Sequence, residues 1–168
     1  MKIQRPIYIG NDHGGYLLKQ VLMKHLKERG LECIDVGCDS TDIVRYPYYA
    51  AKVAGAVSRG EADRGILICS TGIGMSILAN KFKGIRASLC TDTFMAKMTR
   101  AHNNSNVLCL GGKVIGDMEA LDILDAWLDT EYEGGRHGIS LGLIEEAEGT
   151  LCCSYGVSQE QLFKNQNL

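Results

Sequence analysis

Five short apolar runs rich in β-formers recur along the chain, at residues 7–10, 31–36, 65–69, 85–89 and 107–110, and each is followed by an amphipathic stretch. Those stretches fall near residues 14–29, 47–59, 74–82, 92–101 and 116–129. Strict alternation with short connections leaves few foldings open. Right-handed crossovers must carry each helix back over a parallel sheet, and helices then cover both faces. The sequence therefore predicts an α/β fold: a three-layer, doubly wound, five-stranded parallel sheet of flavodoxin- or Rossmann-like type. The expected strand order is 2-1-3-4-5. Within the first helical stretch, Leu17, Leu18, Val21, Leu22, His25 and Leu26 make an i, i+3, i+4 stripe, and Lys19, Lys24, Lys27 and Glu28 lie mostly off it. Gly30 suits the position after the helix, and Pro47 suits the first turn of the second. The alternation stops after residue 130. A turn at Glu133-Gly134-Gly135 and one more helix near 139–148 predict a C-terminal helical extension, so that residues 1–149 form the domain and 150–168 a polar tail.

Composition narrows the function. The chain of 168 residues carries 18 Lys and Arg against 20 Asp and Glu, with no long basic run. That balance argues against nucleic-acid and membrane surfaces, and an anionic partner must be held by a few placed cations. No apolar stretch approaches membrane-spanning length and no secretory signal is visible, so a cytoplasmic location is expected. The seven cysteines include no Cys-x-x-Cys and the four histidines are scattered, so no metal site is expected. Cys33, Cys90 and Cys109 read as small buried hydrophobes inside strands. His25, Met75 and Ile77 read as buried or partly buried packing residues, and Trp127 as packing against the sheet or the helical tail. Asp117 and Glu119 suit the first turn of the fifth helix.

In such a fold, ligands bind beyond the carboxyl ends of the strands where the order reverses, here between strands one and three. Strand one ends in Asn11-Asp12-His13-Gly14-Gly15 and strand three in Cys69-Ser70-Thr71-Gly72-Ile73-Gly74. Polar and titratable groups thus converge at both tips. Gly72 and Gly74 let the backbone approach a ligand, and the following helix offers its first N–H groups to negative charge. A thiol at position 69, just before that turn, is placed to act as a thiolate base. A base beside preorganised anion donors suits a reaction that removes a proton and creates an oxyanion, such as an enediolate.

Competing motifs fail at the same place. A cysteine-phosphatase loop needs Arg six residues after its Cys, where Met75 stands. There is no P-loop, and Ile77 replaces the third glycine of Gly-x-Gly-x-x-Gly. A phosphate-receiver domain would share an acidic first tip and a lysine after strand five, but would end strand three in Asp where this chain has Cys69.

Six blocks occur in order: Gly10-Asn11-Asp12-His13-Gly14-Gly15, Tyr46-Pro47, Cys69 to Asn80, Gly84-Ile85-Arg86-Ala87, His102-Asn103-Asn104-Ser105-Asn106, and Tyr132-Glu133-Gly134-Gly135-Arg136-His137. Together, over about residues 3–137, they resemble the type B ribose-5-phosphate isomerases, a family that also includes galactose-6-phosphate and allose-6-phosphate isomerases. The resemblance implies reversible aldose–ketose isomerisation with Cys69 as the proton-transferring base. By position it implies enediolate binding by the amides of Ser70, Thr71, Gly72, Ile73 and Gly74, with Thr71 assisting at the oxygens. Asp12 and His13 match the sugar- and phosphate-contacting pair, Tyr46 a substrate position, His102 the ring-opening acid and Asn103 a sugar contact. Lys113 and Arg136 fall where phosphate-binding arginines stand. The resemblance implies no cofactor and no metal.

Three positions depart from the family pattern: Ser70 for Gly, Lys113 for Arg, and Ser140 where a second Arg is usual four residues after Arg136. Lys113 keeps charge but loses the bidentate fork. They imply weaker phosphate binding, another sugar length, or His137 as a replacement cation. Ribose 5-phosphate to ribulose 5-phosphate is the leading reaction. Allose 6-phosphate, galactose 6-phosphate and a tetrose phosphate remain alternatives, as do a non-catalytic sugar-phosphate-binding module and a redox role for the cysteines.

Topology adds an expectation about assembly. His102 and Asn103 follow the fourth helix and precede strand five, so they belong at the opposite end of the sheet from Cys69. A five-residue strand spans ~16 Å, whereas a general acid must come within ~3 Å of its proton partner or act through one water. The same holds for Arg136 after the fifth helix. These three groups are therefore expected to serve a neighbouring subunit's pocket in a homodimer, the alternative being a long loop that folds back up within the same chain, with pairing into tetramers left open.

Overall fold

The computed structural model describes residues 3–155, and the side chains of residues 3–149. Five parallel strands form one sheet: β1 Ile7–Asn11, β2 Cys33–Asp35, β3 Gly65–Cys69, β4 Ala87–Leu89 and β5 Val107–Gly111. Between and after them run α1 Tyr16–Glu28, α2 Tyr46–Ser58, α3 Ile73–Ala79, α4 Thr93–Asn103 and α5 Asp117–Asp129, and a short 3-10 turn at His13–Gly15 leads into α1. A last helix, α6, spans Arg136–Tyr155. The chain separates into two compact units, Met1–Glu133 and Gly134–Leu168.

The doubly wound α/β class is as expected, but the strand order is not. It is β2-β1-β3-β5-β4, with β5 inserted between β3 and β4. The physical reason is burial. β5 is Val-Leu-Cys-Leu-Gly and every residue of it is buried, which suits an interior strand. β4 is three residues long, contains Ser88 and is only partly buried along its length, which suits an edge. Right-handed crossovers then place α2 and α3 on one face, and α1, α4 and α5 on the other.

The pleat sorts the core. Ile7, Ile9, Ile66, Ile68, Leu108 and Leu110 point toward α1 and α5, where Leu18, Leu22, Leu26, Ile123, Leu124 and Trp127 pack on them. Leu67, Cys69, Val107 and Cys109 point to the other face, against Ala50, Val53, Ala54 and Met75. Cys69, last in β3, therefore faces α3.

Two details of the helical stripes need correction. Lys19 is only 1 % exposed, because its ammonium pairs with Asp35 at 2.8 Å and donates to the Cys38 carbonyl at 2.6 Å. Leu17 and Ile77 are exposed instead of packed. The remaining packing expectations are met: Met75 and Trp127 are fully buried, and His25 is part-buried with its Nε2 2.7 Å from Asp125. Asp117 and Glu119 occupy the first turn of α5. Cys90 and Cys109 are buried, and Cys33 partly so. The final helix is longer than the expected 139–148. Residues after Tyr155 lie outside the described residues, as do the side chains of Cys152 and Cys153. No described helix is long and apolar enough to cross a membrane.

Candidate active site

Three strand tips meet at the carboxyl end of the sheet: Asn11-Asp12 after β1, Cys69-Ser70-Thr71 after β3, and Gly111-Gly112-Lys113 after β5. The Asp12 N–H donates to the Ile68 carbonyl at 3.1 Å, and the Gly112 and Lys113 N–H groups donate to the carbonyls of Cys69 and Ser70 at 2.8 and 3.0 Å. The observed strand order makes this possible. Cys69 pairs in register with Gly111, so Lys113 stands beside Ser70, whereas the expected order would have put a strand between them.

Glycines let the loops close. A Cβ on Gly14 would lie 2.2 Å from the Ser70 hydroxyl, and one on Gly112 would lie 2.7 Å from the Gly14 carbonyl oxygen. Ser70 therefore faces the Asp12 loop. Gly74 fits against the ring of Tyr46, the first residue of α2, which a Cβ would meet at 2.8 Å.

Cys69 and Asp12 are each 6 % exposed. The Cys69 sulfur accepts the Gly72 N–H at 3.1 Å, a backbone donor that stabilises negative charge on sulfur. Gly72 adopts φ +76° and caps α3, so the turn aims its N–H back at the thiol. Part of the expected amide cup is thus already engaged: the Gly72 N–H serves Cys69, and the Ile73 N–H makes a long 3.4 Å contact to the Thr71 hydroxyl. Thr71, Ile73 and Lys113 are exposed around the opening.

The other described cysteines are held as neutral thiols. Burial pushes Cys33 and Cys90 up to about 12, Cys109 well above the ordinary thiol value, and Cys38 upward. Asp12 is fixed by the Gly14 N–H, which donates to its Oδ1 at 2.9 Å. His13 accepts the Val44 N–H on Nδ1 at 3.3 Å, which leaves Nε2 as the protonated, donating nitrogen of the neutral ring. Asp12, His13, Tyr46, Lys113 and the 69–74 loop are thereby gathered at one end of the sheet.

His102 and Asn103 lie elsewhere, in the last turn of α4, whose chain continues into β5 at the amino edge of the sheet. His102 Nε2 stands 3.8 Å from Glu133 Oε2. Arg136 and His137 open α6 in the second unit.

Sequence reasoning passed over three supports. Asn11 is fully buried, and its Nδ2 donates to the Asp12 carbonyl at 2.9 Å and the Cys38 sulfur at 3.1 Å. Lys19 ties α1 to the 35–38 loop behind the site. Gly112 locks the third tip to the second. A polar residue ending an apolar strand and the Gly-Gly pair after β5 were the available signals.

Residues 7–144 match the sequence profile described as ribose/galactose isomerase. The chain is 52 % identical over 133 residues to ribose-5-phosphate isomerase B of Escherichia coli K12, which covers 79 % of this chain and 89 % of that protein. Among solved structures it is similar to ribose-5-phosphate isomerase B of Clostridium thermocellum, with TM-score 0.85 and 52 % identity, covering 87 % of this chain and 99 % of the other. It is also similar to the Mycoplasma genitalium enzyme with bound ribulose 5-phosphate, with TM-score 0.85 and 37 % identity, covering 88 % and 99 %. A glycine-closed junction of three strand tips at the carboxyl end of a doubly wound sheet, with a backbone-supported thiol on the middle tip, accompanies that likeness over most of the chain, which belongs to the ribose/galactose isomerase family of aldose–ketose isomerases.

Proposed function

We propose that the chain interconverts ribose 5-phosphate and ribulose 5-phosphate through an enediolate, with Cys69 as the base that moves the proton between C1 and C2. The observation that carries this reading is the Gly72 N–H directed at the Cys69 sulfur, on the strand tip next to the loop that fixes the Asp12 carboxylate. The bound ribulose 5-phosphate of the Mycoplasma genitalium relative supports the choice of sugar. Asp12 and the His13 Nε2–H orient the sugar and its phosphate, and Tyr46 walls the pocket over Gly74. Ser70, Thr71, Ile73 and Gly74 supply donors to the developing oxyanion, and Lys113 supplies positive charge at the rim.

In this reading the site is completed by a second copy. β5 separates His102 and Asn103 from the Cys69 end of their own sheet by ~16 Å, beyond the reach of proton transfer. Within the first unit, Ile73 and Ile77 on α3 and, on the other side of the sheet, Phe94 and Met95 on α4 are large, apolar and exposed, which suits surfaces covered by a partner. On α6, Ile139 and Leu143 form an exposed i, i+4 pair that a partner can also cover. His102 then opens the furanose ring in trans, Asn103 contacts the sugar, and Arg136 with His137 holds the phosphate.

The direct test is Cys69→Ser in a coupled ribose 5-phosphate assay, with deuterium wash-in at C2 followed by NMR. Loss of a positioned base is worth about 10²–10⁴ in rate, and wash-in falls in parallel. Near-normal turnover in a folded Cys69→Ser protein would remove the thiol from the base role.

A further inference from the structure

The opposite pole of the sheet carries a second concentration of charge that the isomerase pocket does not use. A cavity of about 150 Å³ opens there, lined by Ile3, Asp63, Arg64, Arg86, Arg100 and Asn104 together with Asn106. Each of these residues precedes a strand or ends α4, so the cavity lies at the amino edge of the sheet, one strand length from Cys69.

Its electrostatics are unbalanced. Arg64 and Arg100 are 6 % and 3 % exposed, and among the described residues Arg64 Nη1 and Arg100 Nε are buried without a hydrogen-bond partner. Arg100 Nη1 donates to the Asn104 side chain at 2.9 Å and to the Ser105 carbonyl, and Arg86 Nε donates to the Asn104 carbonyl at 3.1 Å. All these acceptors are neutral. The one carboxylate in the wall, Asp63, accepts the N–H groups of Gln4 and Arg5 and stands 3.8 Å from the Arg5 guanidinium. Three cations thus face one carboxylate that is already engaged. Burial, with like charge from Arg64 and Arg86, pulls Arg100 down to about 9, and burial pulls Arg64 to about 10 against the attraction of Asp63. Both are still cationic at neutral pH. Orphan N–H groups on buried guanidinium ions are costly. The cost is relieved when a planar fork meets an oxyanion.

We infer that this cavity is a second anion-binding site, separate from the isomerase pocket, that takes a phosphate group on Arg64, Arg86 and Arg100. A cavity of 150 Å³ holds a ligand of about benzene size, enough for inorganic phosphate or the phosphate end of a phosphomonoester. The Asn106 side chain is spent on the Arg86 N–H and the Gly84 carbonyl, so the donor the wall adds for the remaining oxygens is the side-chain amide of Asn104, whose Oδ1 already accepts from Arg100.

The fold carries its own reporter. Trp127 is the single tryptophan. The Arg64 guanidinium lies over its ring at 4.9 Å, and its Nε1 donates to the Ser105 hydroxyl at 2.6 Å, on the residue whose carbonyl holds Arg100. Neutralising Arg64 changes the field on that indole. The experiment titrates the intact protein with inorganic phosphate, and separately with ribose 5-phosphate, against chloride at matched ionic strength, and reads Trp127 emission. A saturable change with either phosphate, absent with chloride, is expected, and which titrant works identifies the occupant. Lys113→Met, which removes the cation at the rim of the isomerase pocket and no group of this cavity, leaves the signal in place. Arg86→Met keeps the Trp127 stack and lowers the apparent affinity about ten- to hundredfold, the worth of one charge-assisted donor. Arg64→Met, read by calorimetry because it alters the reporter, loses the same binding event. No saturable change, an equal response to chloride, or a wild-type titration curve from folded Arg86→Met overturns the assignment.

Discussion

Gly72→Ala perturbs the turn that aims an amide at the Cys69 sulfur. With φ at +76°, an L residue there pays about 1–2 kcal/mol for left-handed backbone. The added methyl would also sit 2.5 Å from Leu89 Cδ1 and 2.9 Å from the Leu110 carbonyl carbon, and the second neighbour is strand backbone that cannot swing aside. Overpacking of this kind costs about 1–3 kcal/mol. The two terms sum to about 2–5 kcal/mol, which lowers the thermal midpoint of a chain this size by about 4–20 °C. Relief of the overlap moves the Gly72 N–H, and loss of one donor to a charged acceptor is worth about 1.5–3 kcal/mol, or about ten- to more than a hundredfold in kcat/KM. Gly84→Ala is the control: its φ is +73° but a Cβ would meet nothing within 4 Å, so it pays the backbone term alone and leaves turnover intact. Circular-dichroism melts and a coupled isomerase assay run below both midpoints read the two effects. An alanine at position 72 that melts and turns over like wild type refutes both the packing reading and the role of the amide.

Assembly in trans predicts complementation. Co-expressed Cys69→Ser and His102→Ala chains, each nearly inactive alone, form mixed dimers with one intact site and recover about a quarter of wild-type activity; no recovery in demonstrated mixed dimers excludes the shared site. Thiol reactivity separates the described cysteines: with Cys33 and Cys90 pushed to about 12, about one part in 10⁴ of either is thiolate at pH 8. Iodoacetamide with peptide mapping therefore labels Cys69 ahead of Cys33, Cys38, Cys90 and Cys109, and substrate protects it. Acid stability carries a signature from Asp125, whose carboxyl is raised by burial but held below its ordinary value overall by hydrogen bonds from His25 and Arg29. Its contribution is present in full above about pH 4 and is lost as pH falls through the lowered folded value. Because its side chain is 40 % exposed, screening limits the effect to under about 1 kcal/mol. Asp125→Asn melts below wild type at pH 6, and the gap closes toward pH 2.

Periodicity and turn chemistry made the class of fold and the location of the site readable. The five apolar runs became β1 to β5, and Asp12, Tyr46, Cys69 to Gly74 and Lys113 met at the strand tips because each stood at the end of a strand or the start of a helix. Strand order was less legible, since alternation says that strands are parallel without saying which are neighbours. The cue was the contrast between fully apolar Val107–Gly111 and the short Ala87–Leu89. Lys19 was misread because helical periodicity treats lysine as a surface residue, and its burial depends on Asp35 and the Cys38 carbonyl, which no local pattern brings together. The orphaned arginines were invisible for the same reason: Arg64, Arg86 and Arg100 are far apart in sequence, and only the crossovers unite them.

The interior position of β5 has a consequence for synthesis. β4 borders β5 in the sheet, yet residues 87–89 leave the ribosome well before residues 107–111. A nascent chain ending near residue 104 can assemble the β2-β1-β3 half, while its fourth strand lacks the neighbour it pairs with. Vectorial folding should therefore proceed in two steps, with protection from exchange of the Cys90 amide, which donates to the Cys109 carbonyl at 3.1 Å, arriving only when β5 slides into the gap and zips both sides at once.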